Sequence, residues 1–293
     1  MGLGAKLNIV LTCVFVAGLT LFYFLSGPFL ERAAEDEVLT RARIMMEGAA
    51  GIRKYTAEEV APLLAPHMRK QFFPQTVAAY AAMKNFEVLR EGFPDYLYRE
   101  VSLNPTNPRS RAIEWEADII NDFRGFPNKR DLVTHRDTPQ GRFIHLSRPL
   151  RVAEKCLMCH SRWEDAPKTL VAAYGKDNGF GWKLNEVIAA QIVTVPMNIP
   201  LERAHETRLF FMKLLAAVFL GLAIALNVLL RVVVLNPITR ISHIAGEVSM
   251  GKTDVPEFQR SGSDEIASLS ESFNRMRRTV EQAMKMLSDS LKP

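Results

Sequence analysis

The stretch DLVTHRDTPQGRFIHLSRPLRVAEKCLMCH, residues 131–160, decides the fold. Its first half sets two runs rich in β-branched and aromatic residues, Asp131 to Asp137 and Arg142 to Leu150, on either side of Thr138-Pro139-Gln140-Gly141. A Pro and Gly turn between two such runs predicts an antiparallel hairpin. The second strand runs almost directly into Cys156-Leu157-Met158-Cys159-His160. The chemistry of the chain is therefore tied to the end of a sheet.

Two cysteines three residues apart lie about one helical turn apart, a spacing that suits two thioether bonds to the vinyl groups of one haem. A histidine directly after the second cysteine can then reach the iron. Cys156, Cys159 and His160 are the expected attachment residues and proximal ligand for one covalent haem c. A half zinc site and a redox Cys-x-x-Cys pair compete with this reading. Zinc calls for further correctly spaced ligands, and a redox pair has no use for the adjacent histidine. Covalent haem is attached outside the cytoplasm, so the motif also predicts a compartment. The second axial ligand stays open. His145 shares a strand face with Phe143 and Ser147, but Ile144 and Leu146 can equally mark the core face and turn His145 to solvent. His67, Met68, His135 and Met83 are weaker candidates, and so is an open sixth position. Trp163, Tyr174, Phe180 and Trp182 can line an apolar pocket or belong to ordinary core.

Outward from the hairpin, Tyr96 to Leu103 alternates apolar with polar residues and ends in Asn104-Pro105-Thr106-Asn107-Pro108, a strand followed by a turn. Val187 to Val195 predicts a further strand. Helices are expected from Thr76 to about Arg90 and from Ala112 to about Phe123, and Thr56-Ala57-Glu58-Glu59 has the capping-box pattern that starts a helix near Ala57. Helices and a small antiparallel sheet make this middle part an α+β domain of PAS-like type.

Leu7 to Gly27 carries no charge and is long enough to cross a bilayer as a helix. Pro28-Phe29-Leu30-Glu31-Arg32 offers no small-residue cleavage site, so an uncleaved anchor is expected. A second apolar run, Leu209 to Leu235, has Lys213 and Arg231 near its ends, from which both can snorkel. Leu30, Ala34, Val38, Met45, Ala49 and Ile52 continue the first helix out of the membrane at an approximate helical period. The expected boundaries are a first span at 7–27, a haem domain at 28–208, a second span at 209–235 and a helical tail at 236–290. Basic Lys6, Arg231 and Arg240 against acidic Glu31, Glu35, Asp36 and Glu37 point to cytoplasmic termini and an exported middle. That corresponds to a bacterial inner membrane protein with its haem domain in the periplasm.

The net charge of +5 does not form a basic patch. Pro28 to Arg208 holds 26 basic and 24 acidic residues and Asn236 to Pro293 holds 8 of each, so nucleic acid is not an expected partner. Cys13 lies in an apolar run and carries no assigned chemistry.

In the tail, Ile238, Ile241, Ile244 or Ala245 and Val248 form one apolar seam, ended by Gly251, and Ile266, Leu269, Phe273, Met276, Val280 and Leu287 form another after an irregular connector to about Ser263. Spacings of three and four give two amphipathic helices that need partners, and a parallel homodimeric four-helix bundle meets that need. Pro237 after the span, Asp264-Glu265-Ile266 and Phe273-Asn274-Arg275-Met276 resemble a HAMP linker. The middle domain resembles a haem-c PAS-like sensor family long described as a domain of unknown function. The carrying residues are Ser102 to Pro108, Trp115-Glu116 with Phe123, Arg148-Pro149-Leu150, Cys156 to His160, and Gly179-Phe180-Gly181-Trp182 through Pro196.

The resemblance implies a non-enzymatic sensor of redox state or a small haem ligand that signals through the HAMP-type helices. The 293 residues leave no room for a kinase, cyclase or chemotaxis output domain, so a separate cytoplasmic signalling protein is the expected partner. The competing function is a membrane-bound c-type cytochrome subunit that transfers electrons to a redox partner. A haem enzyme lacks a recognisable acid-base constellation.

Overall fold

The computed structural model describes residues 2–252, 256–258 and 262–290, with only the backbone described at 3 and 287–290. Helix α1, Leu3–Tyr55, runs without a break. It passes through one π-turn, Thr56–Val60, into the short α2, Ala61–Leu64. No new helix starts at Ala57. The Thr56 hydroxyl donates to the Ile52 carbonyl at 2.8 Å, four residues back, and so cannot cap a new N-terminus. Helix α3, Ala78–Gly92, and strand β1, Leu97–Ser102, follow. Next come α4, Glu114–Gly125, and the hairpin of β2, Leu132–Thr138, with β3, Gly141–Arg151. Helices α5, Glu154–His160, and α6, Lys168–Tyr174, precede β4, Val187–Pro196.

The four strands form one antiparallel sheet in the order β1-β4-β3-β2. The predicted hairpin is present in register, Val133 opposite Leu146 and Thr138 opposite Gly141. Strand β4 lies between β1 and β3. Nearly every residue of it is buried, as a strand covered on both faces requires.

Period-two alternation sorts the side chains to the two faces. On one face Tyr98, Ile144, Leu146, Val193 and Val195 pack against Val38, Ala42 and Met46 of α1 and Ala82 and Phe86 of α3. On the other, Val101, Ala190 and Ile192 pack against Ile119, Ile120 and Phe123 of α4. Both faces are core, so His145 and Ser147 on the α4 side are covered and not turned to solvent. The buried stripe of α1 is Ala34, Val38, Ala42, Met46 and Ala49; Met46 rather than Met45 takes the fully enclosed position. An ion pair from Arg53 to buried Glu100 ties α1 to β1. Tyr98 donates to Glu100 at 2.7 Å and accepts from Gln191 at 2.6 Å, which satisfies this buried polar group. These elements form a compact unit, Ser26–Arg208.

Helix α7, Asn198–Leu229, begins in that unit, and the second unit holds the apolar part of α1, α7 from Leu209 onward, a π-turn at Leu230–Leu235, α8, Asn236–Ser249, and α9, Glu265–Ser290. Two helical stretches are long and apolar enough to cross a membrane, Gly4–Leu64 and Asn198–Ser249. Inside this unit Asn227 donates to Asn8 at 2.7 Å and Phe15 meets Phe219 at 5.1 Å. The Thr12 and Thr20 hydroxyls bond carbonyls four residues back, so neither needs water. In the tail Ile241, Ile244, Phe258 and Phe273 form a small core. Asp264 caps α9 by accepting from the Ala267 amide at 2.7 Å. Part of the connector and the Leu287 side chain lie outside the described residues.

Candidate haem site

Helix α5 is two turns long and begins three residues after β3 ends, so the end of that interior strand fixes where it starts. Cys156 and Cys159 stand three positions apart on it, on one face, and His160 closes its last turn. Both thiols are free and half-buried. Burial, with Cys156 adding to it, pushes the Cys159 thiol up, which keeps it protonated.

His160 is held by the loop around Gly179 to Trp182. Its Nδ1 lies 2.7 Å from the Gly179 carbonyl oxygen, which can only accept, so Nδ1 carries the proton and donates. The Trp182 ring stacks on the imidazole at 3.9 Å and 11°. Backbone bonds from Trp182 to the His160 carbonyl at 3.1 Å and from Gly181 to the Ser161 carbonyl at 2.7 Å fasten the same loop. Thr106 Oγ1 approaches Nδ1 at 3.4 Å, bringing in the turn after β1.

This tautomer leaves Nε2 with a free lone pair. An imidazole anchored through Nδ1 to a carbonyl is the usual orientation of a metal-ligating histidine. Burial lowers the His160 pKa and the Gly179 carbonyl partly opposes this, so the ring is neutral and able to ligate at neutral pH. Two thiols on one turn beside an imidazole with a free Nε2 fit a c-type haem. Among the described residues no group of three or more His, Cys, Asp or Glu converges in metal-holding geometry.

His145 is the other candidate ligand. It lies on β3 beneath α4, 5% exposed, with Nδ1 2.8 Å from Thr194 Oγ1 and its ring 4.6 Å from Trp115. Among the described residues, neither Thr194 nor Trp115 hydrogen-bonds or stacks with His160, whose partners are Gly179, Trp182 and Thr106. Nε2 of His145 is enclosed without a hydrogen-bond partner among the described residues. Burial first, then the charges of Arg136 and His135, pushes its pKa down to about 4. Glu116 accepts from the Ile113 amide at 3.0 Å and so fixes the first turn of α4, which carries Trp115.

The weaker candidates scatter. His67 sits in a short turn, and the Met68 sulfur accepts from Phe73 N at 3.4 Å and Thr76 Oγ1 at 3.7 Å. His135 pairs with Glu35 at 2.9 Å, and Met83 packs on the α1 side of the sheet. Trp182 joins the site directly, whereas Trp163 lies under Lys176 and Tyr174 meets Phe72. Sequence reasoning did not read the roles of Gly179, whose backbone oxygen orients the ligand, or of Thr106. The two glycines flanking Phe180 are the one signal that could have found the loop.

A family model described as Tll0287-like matches residues 31–196, and a HAMP domain model matches residues 229–282. The crystal structure of the cyanobacterial heme-protein Tll0287 is similar at 17% identity and a TM-score of 0.44, over 55% of this chain and 95% of that one. Among curated proteins none matches.

Proposed function

This chain belongs to the Tll0287-like family, with a HAMP domain following the matched region, and we propose on that premise that it is a two-pass membrane transducer whose middle domain carries one covalent haem c. Cys156 and Cys159 supply the thioether sulfurs and His160 the proximal nitrogen. The observation that carries this reading is the clamp on His160: the Gly179 carbonyl and the Trp182 ring fix an imidazole, with Nε2 free, on the same short helix as two thiols. His145 is the candidate for the second axial ligand, and its enclosed, unpartnered Nε2 is what favours it. The haem domain is placed in the periplasm and the HAMP helices in the cytoplasm of a bacterial inner membrane, because covalent haem is attached on the exported side.

Haem supplies a centre whose charge and ligation change with redox state or a bound gas. The chain supplies the link: the loop at Gly179 leads into β4, and β4 is followed within two residues by α7, which enters the second apolar run. A shift of His160 therefore bears on the strand that feeds the exit helix. Signalling requires the HAMP helices to have two packings that this shift biases, as dimers acting on a separate protein. An electron-transfer cytochrome makes no such demand.

The test is disulfide crosslinking of the full chain, on a Cys13→Ala background, with single cysteines at Leu269, Met276 and Val280 and the haem poised oxidised or reduced. A pattern that changes with haem state is expected. An identical pattern in both states removes the transducer reading in favour of electron transfer.

A further inference from the structure

A cavity of about 360 Å³ opens in the Ser26–Arg208 unit between the exit of α1, the start of α7 and the turn end of the β2–β3 hairpin. Its size falls within the range of small-ligand pockets, about 300–1,000 Å³. Glu31, Asp137, Arg142, His205 and Arg208 bring both signs of charge to it, and Leu30, Leu201 and Ala204 give it an apolar side. Its position along the chain is narrowly defined. Gly27 is the last residue of the first apolar run and Arg208 directly precedes the second, and both line the cavity. If the two runs cross a bilayer, the cavity lies at headgroup depth.

Two details show that the place is built. Gly27 is buried, and a Cβ there would stand 2.8 Å from Arg208 Nη1, so the guanidinium lies against bare backbone of α1 and would have to shift to admit a side chain. Beside it, buried Ser26 Oγ has no hydrogen-bond partner among the described residues. Arg142 is oriented by donating from Nε to Asp137 Oδ1 at 2.8 Å. Proximity to Asp137, and more weakly to Glu31 and Glu35, holds its pKa above the ordinary value. Cations and carboxylates thus share one small space, which a ligand carrying both a phosphate and an ammonium complements and a simple anion does not.

We propose that this cavity binds the headgroup of a phospholipid bearing phosphate and a primary amine, with Arg142, His205 and Arg208 on the phosphate side and Glu31 and Asp137 on the amine side. The inference rests on the two-pass reading and is independent of the haem. A lipid held there bridges both helices that leave the domain and the hairpin between them. Their separation then depends on the bilayer's composition.

Full-length, haem-loaded chain in mild detergent is titrated separately with phosphatidylethanolamine, phosphatidylglycerol and phosphatidylcholine, and retained lipid is read by native mass spectrometry. One phosphatidylethanolamine per chain is expected, in preference to the other two. Joint replacement Arg142→Gln with Arg208→Gln should lower its occupancy at least about tenfold, the order of one lost charge-assisted hydrogen bond. Glu31→Gln, which leaves the phosphate side intact, should abolish the preference over phosphatidylglycerol without abolishing binding. Equal retention of all three lipids, or undiminished retention in the arginine variant, overturns the proposal. So does displacement of the lipid by inorganic phosphate, which would make this a soluble-anion site. Extraction of the chain from membranes by carbonate would instead overturn the two-pass reading, and the two failures are distinct.

Discussion

The Gly179 carbonyl oxygen receives the Nδ1 proton of His160 at 2.7 Å, and Gly179 can occupy that place only because it has no side chain. Its φ is +81°, and a Cβ would stand 1.9 Å from Thr106 Oγ1 and 2.7 Å from the Thr106 backbone nitrogen. Gly175 has nearly the same φ, +82°, with open space around it. The pair separates backbone strain from collision. Gly175→Ala should cost about 1–3 kcal/mol for a positive φ combined with an extended ψ, which glycine adopts almost alone. Gly179→Ala should cost roughly 1–3 kcal/mol more, because the Thr106 backbone has to move. Thermal unfolding measures both, and the haem reduction potential should shift in Gly179→Ala alone as the ligand's hydrogen bond is disturbed. Equal losses in the two variants would contradict the clamp.

One haem adduct per chain is expected in denaturing mass spectra of protein made in a host competent for c-type maturation. Cys156 and Cys159 are the two thiols on α5, and Cys13 lies far along the sequence in an apolar run. Cys156→Ala with Cys159→Ala should remove the adduct entirely, and Cys13→Ala should leave it. A full-length chain without haem from such a host would refute covalent attachment.

His145 gives the domain a pH dependence of definite sign. Its pKa is near 6.5 in the unfolded chain and about 4 when folded, because burial and then Arg136 and His135 disfavour its charge. Between these values the unfolded state binds a proton that the folded state refuses, so stability is full above about 6.5 and falls as pH drops toward about 4. His160 is shifted in the same direction and adds to the slope. In the haem-free Cys156→Ala, Cys159→Ala chain, where no iron can hold either ring, His145→Gln should flatten part of the acid limb of the unfolding midpoint against pH. An unchanged slope would show that His145 titrates normally.

Much of this architecture was legible in the residues. The hairpin at 131–150 announced itself through Thr138 to Gly141, and both apolar runs through their length. The Cys156 to His160 motif needs only local geometry, and the fold sets both thiols and the imidazole on one short helix. Three features escaped because each depends on what packs from a distance. Thr56 looked like a cap until α1 supplied an Ile52 carbonyl for its hydroxyl. His145 looked half-solvated because period two assigns faces but does not say that α4 will cover the second one. The Gly179 carbonyl carries no side-chain signal at all, and its role depends on Thr106, more than seventy positions away in the chain.

The tail yields a prediction from how one chain leaves its apolar seam. Phe273 is 7% exposed, packed with Ile241, Ile244 and Phe258 of the same chain. Met276 is 58% exposed, Leu269 47% and Val280 39%. The inner face of α9 is instead Ala267, Ser270, Phe273, Asn274 and Arg277. Ser270 and Asn274 bond the Phe258 carbonyl there, at 2.7 and 2.9 Å. The seam therefore divides, with Phe273 serving the intrachain core while Leu269, Met276 and Val280 form an apolar stripe open to a second chain. Phe273→Asp and Met276→Asp should then fail differently. Phe273→Asp buries a carboxylate in the tail's own core, at a cost of roughly 3 kcal/mol or more, and should unfold the tail as well as dissociate the dimer. Met276→Asp places the charge where a single chain already meets water. It should leave the helicity of the isolated chain unchanged and weaken only self-association. Sedimentation of the full chain in detergent, with circular dichroism alongside, distinguishes the two. The haem spectrum should be the same in both variants, because the haem site and the tail belong to different compact units. A dimer that survives Met276→Asp undiminished would show that the exposed stripe is not where the chains meet.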